Sequence, residues 1–99
     1  MNKPCYTDYV RYAMRFYSRN LNLVSFKKKA VENNWKACDK VISNYSARDK
    51  EMLVYIYGER DTLADNVYQI SIKHNLPQNI IWSIMADFEE KVAIERGLV

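Results

Sequence analysis

The sequence predicts an all-α fold of about five helices, and three observations carry that reading. Only 2 of the 99 residues are glycine, against an average near ~7%, whereas strand-rich folds place glycine at many of their turns. Apolar residues recur with the helical period of about 3.6 through most of the chain. Two short segments, Ser46-Ala47-Arg48-Asp49 and Thr62-Leu63-Ala64-Asp65, set a hydroxyl three residues ahead of an acid, the pattern that closes the first turn of a helix. The length makes one domain, 1–99, with a modest core. Within it, a basic helical pair (1–43) precedes a three-helix unit (45–98) with a long last helix.

The first helix is expected over 5–19, with Pro4 at its start, where a missing N–H costs little. Tyr6, Tyr9, Val10, Ala13, Phe16 and Tyr17 share one face, and Arg11, Arg15 and Arg19 the opposite one. Asn20-Leu21-Asn22 breaks it. A second helix runs from about Phe26 to Ile42 with Ser25 as N-cap. Its apolar face (Phe26, Ala30, Val31, Trp35, Ala37, Cys38, Val41 and Ile42) is broad enough to need two neighbours; Lys28, Lys29, Lys36 and Lys40 lie opposite. The third begins at the Ser46 cap and is closed by Gly58, read as the left-handed residue that ends a helix. The fourth begins at the Thr62 cap, carries Leu63, Val67, Ile70 and His74 on one side, and stops near Asn75. Leu76-Pro77 forms a tight link. The last helix, about Gln78 to Arg96, has a stripe of Ile81, Ile84, Met85, Phe88 and Val92, and Gly97 ends it.

Composition excludes several classes. A hydrophobic fraction of 48% is too high for a disordered chain. No apolar run approaches the ~20 residues of a membrane span, and no signal-peptide core follows the first residues, so the expected address is the cytoplasm. Cys5 and Cys38 are then free thiols, expected in the core. Catalysis lacks a nucleophile–base–orienter set, and the single His74 serves neither a triad nor a metal site alone. Neither glycine belongs to a phosphate loop, and adjacent Glu89 and Glu90 point about 100° apart on a helix. No enzyme activity, metal or cofactor is expected. The eight tyrosines stand at helical spacing and read mostly as core.

Charge is distributed unevenly. Residues 1–43 carry nine Lys/Arg and three Asp/Glu; residues 44–99 carry six and nine. A basic half suggests a polyanion partner; the plainer alternatives are attraction between the halves or simply wet helix faces.

Two short helices joined by three or four residues form the helix-turn-helix pattern, and Val67–Ala86 fits it. Ile70 is the buried anchor, Ser71 the small residue where the helices cross, and Asn75 a turn residue tolerant of positive φ. Leu76 plugs the turn, and Ile81 and Ile84 pack the second helix back. The segment Ser46-Ala47-Arg48-Asp49-Lys50-Glu51-Met52-Leu53, with Tyr57-Gly58-Glu59, Ile70-Ser71, Asn75-Leu76-Pro77, Ile81 and Met85, resembles the region-4 helix-turn-helix of bacterial sigma-70-type factors. It resembles still more the small phage transcription regulators of the ArpU/RinA type. The resemblance covers about Tyr45 to Leu98. It implies a promoter-binding module whose last helix enters the major groove of double-stranded DNA.

Carried over by position, Gln78, Asn79, Trp82, Ser83 and Ala86 would face the groove; Gln and Asn pair bidentately with adenine. This chain departs from the family in having no Lys or Arg from Gln78 to Glu90, with acids at Asp87, Glu89 and Glu90. A few extra residues also lie between Gly58 and Ile70, and His74 stands where an aliphatic residue is usual. Phosphate contacts would therefore come from Arg11, Arg15, Arg19 and the run Lys27, Lys28, Lys29, acting as backbone clamps. Two competing readings remain. One is an adaptor whose acidic long helix meets a basic protein surface, such as an RNA polymerase subunit, with Trp82 at the interface. The other is a self-associating protein, at its simplest a homodimer, in which basic and acidic halves meet.

Overall fold

A computed structural model describes residues 3–99 and contains five helices, with no strand among the described residues. They are α1 (Thr7–Arg19), α2 (Lys29–Ile42), α3 (Ala47–Gly58), α4 (Leu63–His74) and α5 (Gln78–Glu95). The fold is all-α, as the glycine scarcity and the caps predict.

The two hydroxyl caps form as expected. Ser46 Oγ accepts from the Asp49 N–H, and Thr62 Oγ1 from the Asp65 N–H, each at 3.1 Å. Asn75 takes the left-handed conformation at φ 53°, and the Leu76 N–H then donates to the Ser71 carbonyl at 3.1 Å. Gly97, at φ 72°, closes α5 likewise, with the Leu98 N–H on the Ala93 carbonyl at 2.8 Å.

Gly58 departs from its expected role. It is the last residue of α3 rather than the left-handed residue beyond it. Its missing side chain admits α1 instead: a Cβ built on Gly58 would stand 2.9 Å from the Ser18 Cβ. Ser25 does not cap α2, which starts later, at Lys29, after an extended Lys28 and without a side-chain cap. Phe26 therefore belongs to the preceding loop, and Ala30 is exposed.

One core runs through all five helices. α1 touches α2, α3 and α5; α4 touches α3 and α5; α2 closes against α5. The buried side of α1 is Thr7, Val10, Ala13, Met14 and Tyr17. Met14 is buried where Tyr9 was expected; Tyr9 is exposed, and its hydroxyl donates to Asn34 Oδ1 of α2 at 3.2 Å. In α5 the stripe Ile81, Met85, Phe88 and Val92 is buried, and Ile84 is half-buried against the core. Cys38 is buried, and the low-polarity surroundings push its thiol up to about 12; Cys5 is exposed, contrary to expectation. Only Tyr17 and Tyr57 are core tyrosines; Tyr9, Tyr12, Tyr55 and Tyr68 are exposed. A tyrosine ring can lie along a helix edge with its hydroxyl in water, so helical spacing alone overstates its burial.

Candidate nucleic-acid interface

Between α4 and α5 the chain turns in three residues, Asn75 to Pro77. Leu76 is half-buried against the core, and Val67 and Ile70 of α4 are buried with Ile81 and Met85 of α5. This packing directs the start of α5 outward on its other side. Gln78, Asn79, Ser83 and Ala86 are exposed there. No acid lies in the first turn of α5 and no side chain caps it, so its dipole end is positive and unopposed. The Ser83 hydroxyl donates to the Asn79 carbonyl at 3.0 Å, which leaves its lone pairs for an incoming donor.

Trp82 sits at the border of this surface, half-buried against the core. The Arg11 guanidinium lies over its ring, 5.9 Å from the centroid. Arg11 does not project freely: its Nε donates to Glu89 Oε2 at 2.9 Å. The Tyr57 hydroxyl donates to the same oxygen at 2.6 Å. Glu89 is only 4% exposed, so the three groups form a seam that ties α1, α3 and α5. Burial foremost, and then the Glu89 charge, hold the Tyr57 hydroxyl well above its ordinary range.

The other cations separate into two sets. Arg19 Nε donates to the Gly58 carbonyl at 2.8 Å, capping the end of α3. Lys29 pairs with Glu32 at 3.3 Å. Near α5, Lys73 is paired with Glu51 at 2.8 Å and Lys91 with Asp87 at 3.0 Å. Arg15, Lys27 and Lys28 are exposed and make no ion pair among the described residues. Arg15 stands one helical turn from Arg11 on α1. Lys27 and Lys28 instead border a hollow beside Phe16, Asn20 and Val31, whose lining contains no α5 residue.

Farther along α5 the outward side is acidic. The Asp87 carboxylate accepts from the Tyr45 hydroxyl at 2.6 Å; that bond and Lys91 hold its carboxyl below the usual range. Glu90 is exposed and makes no ion pair among the described residues. His74 is half-buried, with Nε2 unpartnered and 4.0 Å from Glu51.

The buried roles of Glu89 and Asn66 are not announced by the sequence pattern. Asn66 is 1% exposed, and its amide donates to the Ile56 carbonyl at 2.8 Å, tying α4 to the end of α3. A polar residue beside Val67 on the apolar side of α4 was the available signal.

No helix among the described residues is long and apolar enough to cross a membrane. No family model matches this chain, nor does a curated protein or a solved structure.

Proposed function

We propose that this chain is a helix-turn-helix DNA-binding module, a sigma-like transcription regulator of phage type, that reads double-stranded DNA with the first two turns of α5. The observation that carries the reading is the outward Gln78, Asn79 and Ser83 on a helix whose start is fixed by the Asn75 turn. Asn and Gln offer the donor–acceptor pair that adenine matches. Helix-turn-helix proteins reach base edges with the amino-terminal residues of the second helix. Asp87 and Glu90 favour such an end-on approach, because a helix laid lengthwise would press both acids toward phosphates. Of the arginine stripe, Arg15 is the exposed member without an ion pair among the described residues, and we assign it the contact to the DNA backbone.

A second reading has its own support. The Asp87 and Glu90 face, with Arg11 and Lys73 neutralised by acids, favours an adaptor that meets a basic protein surface such as RNA polymerase, with half-buried Trp82 as an anchor.

Selection of random duplexes by the purified protein at low salt separates the two. For DNA binding, a sequence is enriched, and Asn79→Ala costs ~1–3 kcal/mol at one base pair while nonspecific affinity holds. Asp87→Asn and Glu90→Gln then strengthen binding to every duplex. Absence of any enriched sequence removes the DNA reading, and the adaptor reading then predicts partner loss on Trp82→Ala of ~2 kcal/mol or more.

A further inference from the structure

A hollow beside the end of α1 has no α5 residue in its lining. It has a volume of about 680 Å³ and lies between the last turn of α1, the 20–28 loop and the first turn of α2. Phe16, Leu23, Phe26 and Val31 form its walls, each half-buried, and Lys27 and Lys28 stand at its edge. The nearest acid along the chain, Glu32, is taken up by Lys29 at 3.3 Å and Lys36 at 2.6 Å. Lys27 and Lys28 make no ion pair among the described residues, and they line the same hollow as this apolar surface.

We infer that this hollow binds a single-chain amphiphilic carboxylate, its tail against Phe16, Leu23, Phe26 and Val31 and its head group on Lys27 and Lys28. The volume falls within the ~300–1,000 Å³ typical of small-molecule sites, which are mostly apolar with a few orienting polar groups. An amphipathic peptide helix fits less well. Its anchors run from i to i+7, about 10 Å at 1.5 Å per residue, whereas each helix here offers one turn of wall. The charge at the rim selects an anion over a neutral chain, since a carboxylate on an ammonium makes charge-assisted hydrogen bonds. This inference rests on neither reading of α5.

Trp35 is a built-in reporter, because its ring lies 5.8 Å from that of Phe26. Sodium decanoate, below its micellar concentration, is titrated into a Trp82→Phe protein, leaving Trp35 as the sole indole. The expected result is a saturable one-site change in emission, with amide shifts in the wild-type protein centred on residues 16–31. Decanol is expected to bind about tenfold more weakly, the size of one lost charge-assisted hydrogen bond. Lys27→Glu with Lys28→Glu should weaken decanoate by at least that factor and leave decanol unchanged. No saturable change in emission or amide shifts overturns the site. Equal affinity for decanoate and decanol, or undiminished decanoate binding by the double variant, overturns the head-group assignment and with it the ligand class.

Discussion

The arginine stripe of α1 and the lysine run before α2 look alike in the sequence: clustered cations in the basic half of the chain, on segments expected to be wet. The structure treats them differently. Arg11 is bound to buried Glu89 and Arg19 to the Gly58 carbonyl, so two members of the stripe hold α1 against α3 and α5. Lys27 and Lys28 are exposed and make no ion pair among the described residues. The difference follows from where the partners lie. A stripe that runs along a helix–helix seam meets groups that burial has left short of hydrogen bonds, and guanidinium is suited to them by its weak hydration and several donors. A loop lysine meets water. Clustered charge is therefore evidence about partners only after the internal claims on it are known.

The comparison breaks most sharply at Arg11. Arg11→Ala leaves Glu89 buried with Tyr57 alone, and should cost about 3 kcal/mol, the lower end of the cost of orphaning a buried charge. Urea denaturation measures it. Replacing the group together, as Arg11→Met, Tyr57→Phe and Glu89→Leu, should recover most of that loss, because no buried charge is then left unpaired. A triple replacement of Arg11, Arg15 and Arg19 by alanine would thus report folding as much as DNA contact; Arg15→Ala alone is the clean test of the stripe. The same seam has an alkaline signature. The Tyr57 hydroxyl is raised above its ordinary range, so its contribution is complete below about pH 10, the unfolded value. It is lost above that, as the unfolded chain gives up a proton that the folded one keeps. Stability should decline above about pH 10, with Tyr57 ionising only on unfolding; Tyr57→Phe should lessen the decline.

Next in size is the other end of the stripe. Gly58→Ala introduces a Cβ that would stand 2.9 Å from the Ser18 Cβ, forcing α1 from α3 and displacing the carbonyl that Arg19 caps. A loss of ~1–3 kcal/mol is expected, as for other overpacking changes. Adding Ser18→Gly should relieve the clash, though glycine inside α1 costs ~1 kcal/mol by itself. A double-mutant cycle that shows no coupling would remove close approach as the reason for this glycine.

Which features could be read from the sequence follows the same division between local and distant partners. Ser46 with Asp49 and Thr62 with Asp65 are three residues apart, and both caps form. Asn75 needs only its own backbone conformation. At Asn75, Ala should cost ~1–2 kcal/mol for the left-handed geometry and Gly little, as thermal denaturation would show. Nothing near Glu89 in the sequence marks it as a buried seam residue, because its partners are 78 residues away in Arg11 and 32 in Tyr57. Gly58 looked like a terminator for the same reason: helix ends are common places for glycine, and Ser18 lies on another helix. The outward Gln78, Asn79 and Ser83 could be placed from register alone, whereas the internal claim on Arg11 could not.

The smallest expected effect sharpens the comparison from the lysine side. Lys27→Ala with Lys28→Ala removes two exposed cations that make no ion pair, so stability should stay within ~0.5 kcal/mol of the parent, as at most surface sites. Set beside Arg11→Ala, that contrast tests whether the two cationic clusters differ in kind. If the lysine pair proved as costly as Arg11, it would be holding the 20–28 loop through contacts that static geometry does not reveal, and the division between structural and free cations would fail. If it is silent in urea, the same double variant becomes a clean probe of binding. A lower salt slope for DNA would then place phosphates against the loop. An unchanged slope, with Arg15→Ala lowering it, would confine the backbone contact to α1 and leave the lysines for the hollow they border.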